Sequence, residues 1–85
     1  MIRIGTEGSG TTLRVAGDLV GEWAAFLEGE CVRRLEGGAE LSLDLSDLKR
    51  VDDAGLEALR RLKKSGARIA RCPRVVSELI GGLGP

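Results

Sequence analysis

The chain has 85 residues, enough for one domain and no second, so residues 1–85 are read as a single unit. Its formal net charge is zero, which removes any global drive toward nucleic acid or an anionic membrane. A mixture of 42% hydrophobic and 31% charged residues belongs to a folded protein, and with only Trp23 and Phe26 aromatic the core must be aliphatic.

Ile2 and Ile4, then Leu13 and Val15, alternate with polar residues on either side of Glu7-Gly8-Ser9-Gly10. That pattern predicts an antiparallel hairpin with a glycine-rich turn, its second strand broken at Gly17-Asp18. Trp23, Phe26, Leu27, Cys31 and Leu35 recur at steps of three and four, which predicts an amphipathic helix ending at Gly37-Gly38. Gly29 inside it is unfavourable by about 1 kcal/mol relative to Ala and predicts a kink or fraying there. Leu41, Leu43 and Leu45 alternate with Ser42 and Asp44 as a strand with one buried face. Asp44 and Asp47 are then expected to cap the strand end and its turn.

Asp52 and Asp53 open a second helix, where a carboxylate caps free N–H groups and suits the positive end of the helix dipole. Leu56, Leu59 and Leu62 face inward, and Arg60, Arg61, Lys63 and Lys64 crowd the end before Ser65-Gly66. Ala67 to Arg71 forms a short strand stopped by Pro73, and Val75, Val76, Leu79 and Ile80 predict a last helix. The order is β-β-α-β-α-β-α. Helices alternating with the later strands imply parallel pairing, and the hairpin adds an antiparallel edge, giving a mixed four-stranded α/β sheet.

With no His and no Tyr, the chain lacks the commonest general base and metal ligand, and every Ser-His-Asp or Cys-His arrangement. No phosphate-cradling GxxxxGK[ST] pattern and no DxDxDG-like loop is present. No enzyme, no metal site, no catalytic residue and no cofactor is therefore expected. The basic cluster from Arg60 to Lys64 has no interleaved aromatics, so it reads as a solvated helix end and not a nucleic-acid site. Residues 1–48 carry four basic and nine acidic groups, and residues 49–85 the reverse. Such an asymmetry can steer a partner, although scattered solvated charges account for it equally well. No apolar run approaches the ~18 residues of a membrane span, and the N-terminus has no signal-peptide pattern. A cytoplasmic protein without membrane insertion is expected. Cys31 and Cys72 are in no metal-ligand spacing and read as reduced thiols.

The segment Leu41-Ser-Leu-Asp-Leu-Ser-Asp-Leu-Lys-Arg-Val-Asp-Asp-Ala-Gly-Leu56 resembles the central motif of STAS domains, named for sulfate transporters and anti-sigma factor antagonists. Val15-Ala-Gly-Asp-Leu19 is similar to the end of that family's second strand, and Cys72 to Ile80 to its later Pro-x-Val helix. The resemblance implies a bacterial, non-catalytic module of signal transduction and transcription regulation. Its partner would be a Ser/Thr-kinase-like anti-sigma factor, contacted through Asp52, Asp53, Ala54, Gly55 and Leu56. It also implies that Asp53 stands where the family carries its phosphorylated serine, a degenerate phosphosite with a fixed charge and no hydroxyl. Two alternatives stay open: a small STAS subunit binding the ATPase of a bacterial lipid-trafficking ABC transporter, and a nucleotide- or lipid-binding STAS domain. Gly55, lacking a Cβ, lets another backbone approach the first turn of this helix. Fuller family members continue beyond the last helix, so the fold reads as truncated at the C-terminus, with an exposed edge for a partner or a homodimer.

Overall fold

The computed structural model describes residues 2–7, 12–74, 76 and 78. The chain runs through β1 (Ile2–Glu7), β2 (Thr12–Leu19), α1 (Glu22–Glu36), β3 (Ser42–Val51), α2 (Asp53–Lys64) and β4 (Arg68–Arg71). Alternation sets the face of each strand: Ile2, Leu13, Val15, Leu43 and Leu45 are buried, while Arg3 and Arg14 are exposed. One sheet results, in the order β1-β2-β3-β4. β1 and β2 pair antiparallel, and β2–β3 and β3–β4 pair parallel, so the mixed α/β sheet implied by the sequence is present.

Because β2, β3 and β4 follow one another across the sheet in one direction, both crossover helices fall on the same face. Leu27, Leu59 and Leu62 from the helices meet Leu13, Leu19, Leu43 and Leu45 from the strands, all fully buried. Each such side chain contributes roughly 1.5–3 kcal/mol on leaving water, so this aliphatic layer dominates the favourable side of folding. Across the top of the layer, Arg61 donates from Nε and Nη2 to the Glu28 carboxylate at 2.8 and 2.9 Å. That hydrogen bond, against some desolvation, holds the Glu28 carboxyl below its ordinary value. The pair sits at the surface and aligns the helices more than it stabilises them. Cys31 is fully buried, which pushes its thiol up to about 11, and both Cys31 and the half-buried Cys72 are free thiols.

Several expectations are corrected. β2 does not break at Gly17-Asp18. It passes through Gly17 (φ 95°), with a register shift there, and pairs as far as Leu19 with Val51. β3 likewise extends past Leu45 to Val51. Asp44 does not cap a strand end. It lies inside β3, where its Oδ1 accepts from the Ser46 N–H at 3.0 Å and the Ser46 hydroxyl at 2.7 Å. Those two bonds hold an irregularity in which Arg14 pairs with Asp44 but Ala16 with Asp47, the extra residue of a β-bulge. The Ser46 hydroxyl, then its N–H, lowers the pKa of the Asp44 carboxyl.

Phe26 points outward, with 51% of its surface exposed and its ring edge-to-face with Trp23 at 6.2 Å. At roughly 100° per residue, Phe26 lies on the far side of Leu27 from Ala24 and Cys31, the residues that α1 buries. Helix α1 is also continuous through Gly29, where an added Cβ would meet nothing within 4 Å. Gly29→Ala is therefore expected to raise stability by about 0.5–1 kcal/mol, seen as a higher urea midpoint at unchanged slope. An unchanged or lower midpoint would mean that the site is not open helix. Of the expected last helix, Arg74, Val76 and Glu78 are helical, with Val76 buried. Residues 75, 77, 79 and 80 lie outside the described residues, as does the expected hairpin turn at 8–10.

Candidate partner-contact site

Parallel strands β2 and β3 both end at one side of the sheet, and α1 and α2 both begin there. The first N–H groups of a helix have no intrahelical partner, so two helix starts side by side create a concentrated demand for acceptors. Asp52 meets it from a single carboxylate. Its Oδ1 accepts from the Gly55 N–H at 2.8 Å and caps α2. Its Oδ2 accepts from the Gly21 N–H at 2.9 Å, at the N-cap position of α1. Gly21 itself has φ 55° and ψ −130°, a backbone state that costs a side-chain-bearing residue strain. A third link runs from the Asp52 N–H to the Leu19 carbonyl at 3.4 Å. The Gly55 N–H first, then the Gly21 N–H, lowers the pKa of the Asp52 carboxyl.

The cap is thus Asp52, and Asp53, one residue later, is the exposed first residue of α2, available to solvent. Ala54 is exposed beside it, whereas Gly55 and Leu56 are buried. Gly55 does admit another backbone, but that backbone is the chain's own. A Cβ built on Gly55 collides with the Leu19 carbonyl oxygen and comes within 2.6 Å of Val51 Cγ2. The five residues singled out from the sequence therefore divide. Asp52, Asp53 and Ala54 form a surface, and Gly55 and Leu56 anchor that surface to the end of β2. Gly21 belongs to the same constellation and was not anticipated. A glycine two residues past the end of β2 is a turn signal, but nothing local reveals a bond to a carboxylate 31 positions away.

Among the described residues no group of three or more His, Cys, Asp or Glu side chains is placed to hold a metal ion, and no helix is long and apolar enough to cross a membrane. An open concavity lies on the other side of the sheet and is lined by strand residues. The described core around α2 is built on the fully buried leucines Leu19, Leu59 and Leu62.

A four-stranded mixed sheet with two helices on one face, and a capped, exposed turn where α2 begins, define a small α/β domain of the STAS type. The family profile STAS_2, described as "Mlab, STAS domain", matches residues 2–80, and the chain belongs to that family. Among solved structures, the anti-sigma factor antagonist SpoIIAA in its unphosphorylated form superposes with a TM-score of 0.73 at 12% identity. The match covers 100% of this chain and 84% of that one, and at this identity it establishes the shared fold. No curated protein sequence matches the chain.

Proposed function

We propose that this protein is a non-catalytic regulatory module that binds a partner protein through the start of α2, with Asp53 and Ala54 at the centre of the contact. The observation that carries this is the division of the site. Asp53 and Ala54 are exposed on a turn held rigid by Asp52, Gly55 and Leu56, so the turn is presented in one conformation and loses little entropy on binding. The partner is a cytoplasmic, kinase-like anti-sigma factor, and Asp53 supplies a permanent negative charge at the position of the family's phosphoserine. An aspartate carries about −1 where a phosphoserine carries about −1.5 to −2, so it reproduces that group in part.

A second reading has its own support. The matching family profile carries Mlab in its description, and a contact turn with no hydroxyl at residue 53 suits a STAS subunit that binds an ABC transporter ATPase without a phosphorylation cycle.

The test is affinity capture from the source organism with the parent and with Asp53→Arg, both first shown to melt alike. Capture of an anti-sigma factor by the parent, at least about tenfold reduced by Asp53→Arg, is the expected result, since a like-for-unlike charge swap inside a contact costs several kcal/mol. Capture of an ABC ATPase with the same sensitivity would establish the second reading. Partner recovery unaffected by Asp53→Arg would remove the α2 turn from the contact.

A further inference from the structure

The two helices cover one face of the sheet, and the opposite face gathers four of the strand arginines. Ile2 and Ile4 turn toward the core, so Arg3 between them turns away, and Arg14 lies likewise between buried Leu13 and Val15. On β3, Leu43 and Leu45 point toward the helices, and Ser42 and Asp44 alternate with them on the other side, Ser42 half-buried and Asp44 itself buried. Their register partners on β4 are Arg68 and, beyond a register shift after Ile69, Arg71, which lies close enough to Asp44 to act on its carboxyl. All four arginines are exposed. The carboxyl of Asp44, central on this face, has Arg71 and Arg14 as its neighbouring cations.

The floor between the arginines consists of short residues, Gly5, Ala16 and Ser42. Part of it forms an open trough of about 870 Å³, lined by Arg3, Arg14 and Lys49 together with Asp18 and Asp47. The carboxylates on this side already have partners, Asp18 among them. Asp44 accepts from Ser46, and Asp47 lies 3.8 Å from Arg14 Nε. The four arginines lie along a diagonal row, with Arg14 and Arg71 on either side of Asp44, Arg3 level with Asp47 and Arg68 level with Ser42, so that from β1 to β4 it spans roughly 20 Å, wider than any single small anion. Trp23 and Phe26 are both on α1, on the other side of the sheet, so this face offers no aromatic ring for a base to stack on or to seat in a lipid interface.

We infer that the face of the sheet opposite the two helices docks an acidic segment of a partner protein, whose Asp and Glu carboxylates seat on the guanidinium groups of Arg3, Arg14, Arg68 and Arg71. Planar guanidinium forks take carboxylates in a bidentate fashion, and a row of them selects a segment with several carboxylates over an isolated one. This surface lies on the opposite side of the sheet from the α2 turn, so it is independent of the contact proposed there.

The probe is a synthetic Glu-rich peptide of about eight residues, long enough to span the row when extended. It is titrated into isotope-labelled protein at about 50 and about 300 mM salt, with phosphatidylcholine–phosphatidylglycerol vesicles and oligothymidylate as parallel arms. The expected result is peptide-induced shifts on β1, β2 and β4, weakened at higher salt, and affinity reduced about tenfold or more in Arg3→Glu/Arg68→Glu/Arg71→Glu. Arg14 is left in place because it pairs with Asp47. No binding of the peptide, tighter binding to vesicles or oligothymidylate, or shifts centred on Arg60 to Lys64 would each overturn the proposal. Unchanged affinity in a triple variant that melts like the parent would do the same. Should that variant fail to fold, the location of the shifts in the parent protein decides.

Discussion

Gly55→Ala is expected to destabilise the domain by about 3 kcal/mol or more, because the added methyl has nowhere to go. It would overlap the Leu19 carbonyl oxygen and press on Val51 Cγ2, and the oxygen belongs to a backbone held in β2 by pairing with Val51. The first turn of α2 would have to lift from the strand ends, taking buried Leu56 with it. A domain of this length has roughly 4–13 kcal/mol of total stability, so the melting temperature should fall by roughly 15 °C or more. Combining Gly55→Ala with Val51→Ala relieves the side-chain clash alone, and recovery should be slight. Full recovery would locate the obstruction in Val51, and an unchanged melting curve for Gly55→Ala would show that the close approach to Leu19 is absent. Gly29→Ala is the matched control: the same added methyl, placed over open solvent, moves stability in the opposite direction.

That contrast also marks what a sequence can and cannot display. Helix α2 was legible because independent signals agreed: a capping aspartate, leucines at 56, 59 and 62, and basic residues in the last turn. The sheet was legible where alternation was strict, in Leu13-Arg14-Val15 and Leu43-Asp44-Leu45. It failed at the bulge. Once Ser46 folds back on Asp44, the period-two count slips, and residues 46–51 no longer look like strand although they pair along β2 to its end. Gly17-Asp18 was misjudged for a related reason, since turn-forming residues are tolerated inside a strand at a register shift.

At the candidate site, two adjacent aspartates left the cap ambiguous by one residue. Only the backbone decides that Asp52 is the extended N-cap and Asp53 the first helical residue, and that distinction reverses the expected consequence of mutating each. Removal of the Asp53 side chain should leave the fold nearly intact. The arginine face was hidden differently. Its members sit at positions 3, 14, 68 and 71, drawn from both the acidic and the basic half of the chain, and converge only when the strand registers are known.

Asp52 should behave quite unlike its neighbour. Asp52→Ala removes the acceptor from both helix starts at once, and a fall in melting temperature of about 5–10 °C is expected. Asp52→Asn separates the two bonds. Its amide oxygen still caps Gly55, but its amide nitrogen is a donor and has nothing to offer the Gly21 N–H. The asparagine variant should therefore lose less than the alanine variant and lose it at α1, read as faster amide exchange at Gly21 with Gly55 still protected. The pH dependence has a definite sign. Both N–H groups favour the ionised carboxylate and place the folded pKa below the ordinary aspartate value of 3.8. The contribution of Asp52 is complete above that value and is lost as pH falls through the depressed folded value. Stability of the parent should decline below about pH 4, with Asp44 and Glu28, also depressed, contributing to the same limb. Both Asp52 variants should approach the parent as the pH is lowered and differ most from it near neutrality. A gap between parent and Asp52→Ala that persists undiminished to about pH 2 would show that the carboxylate charge plays no part in joining the two helices.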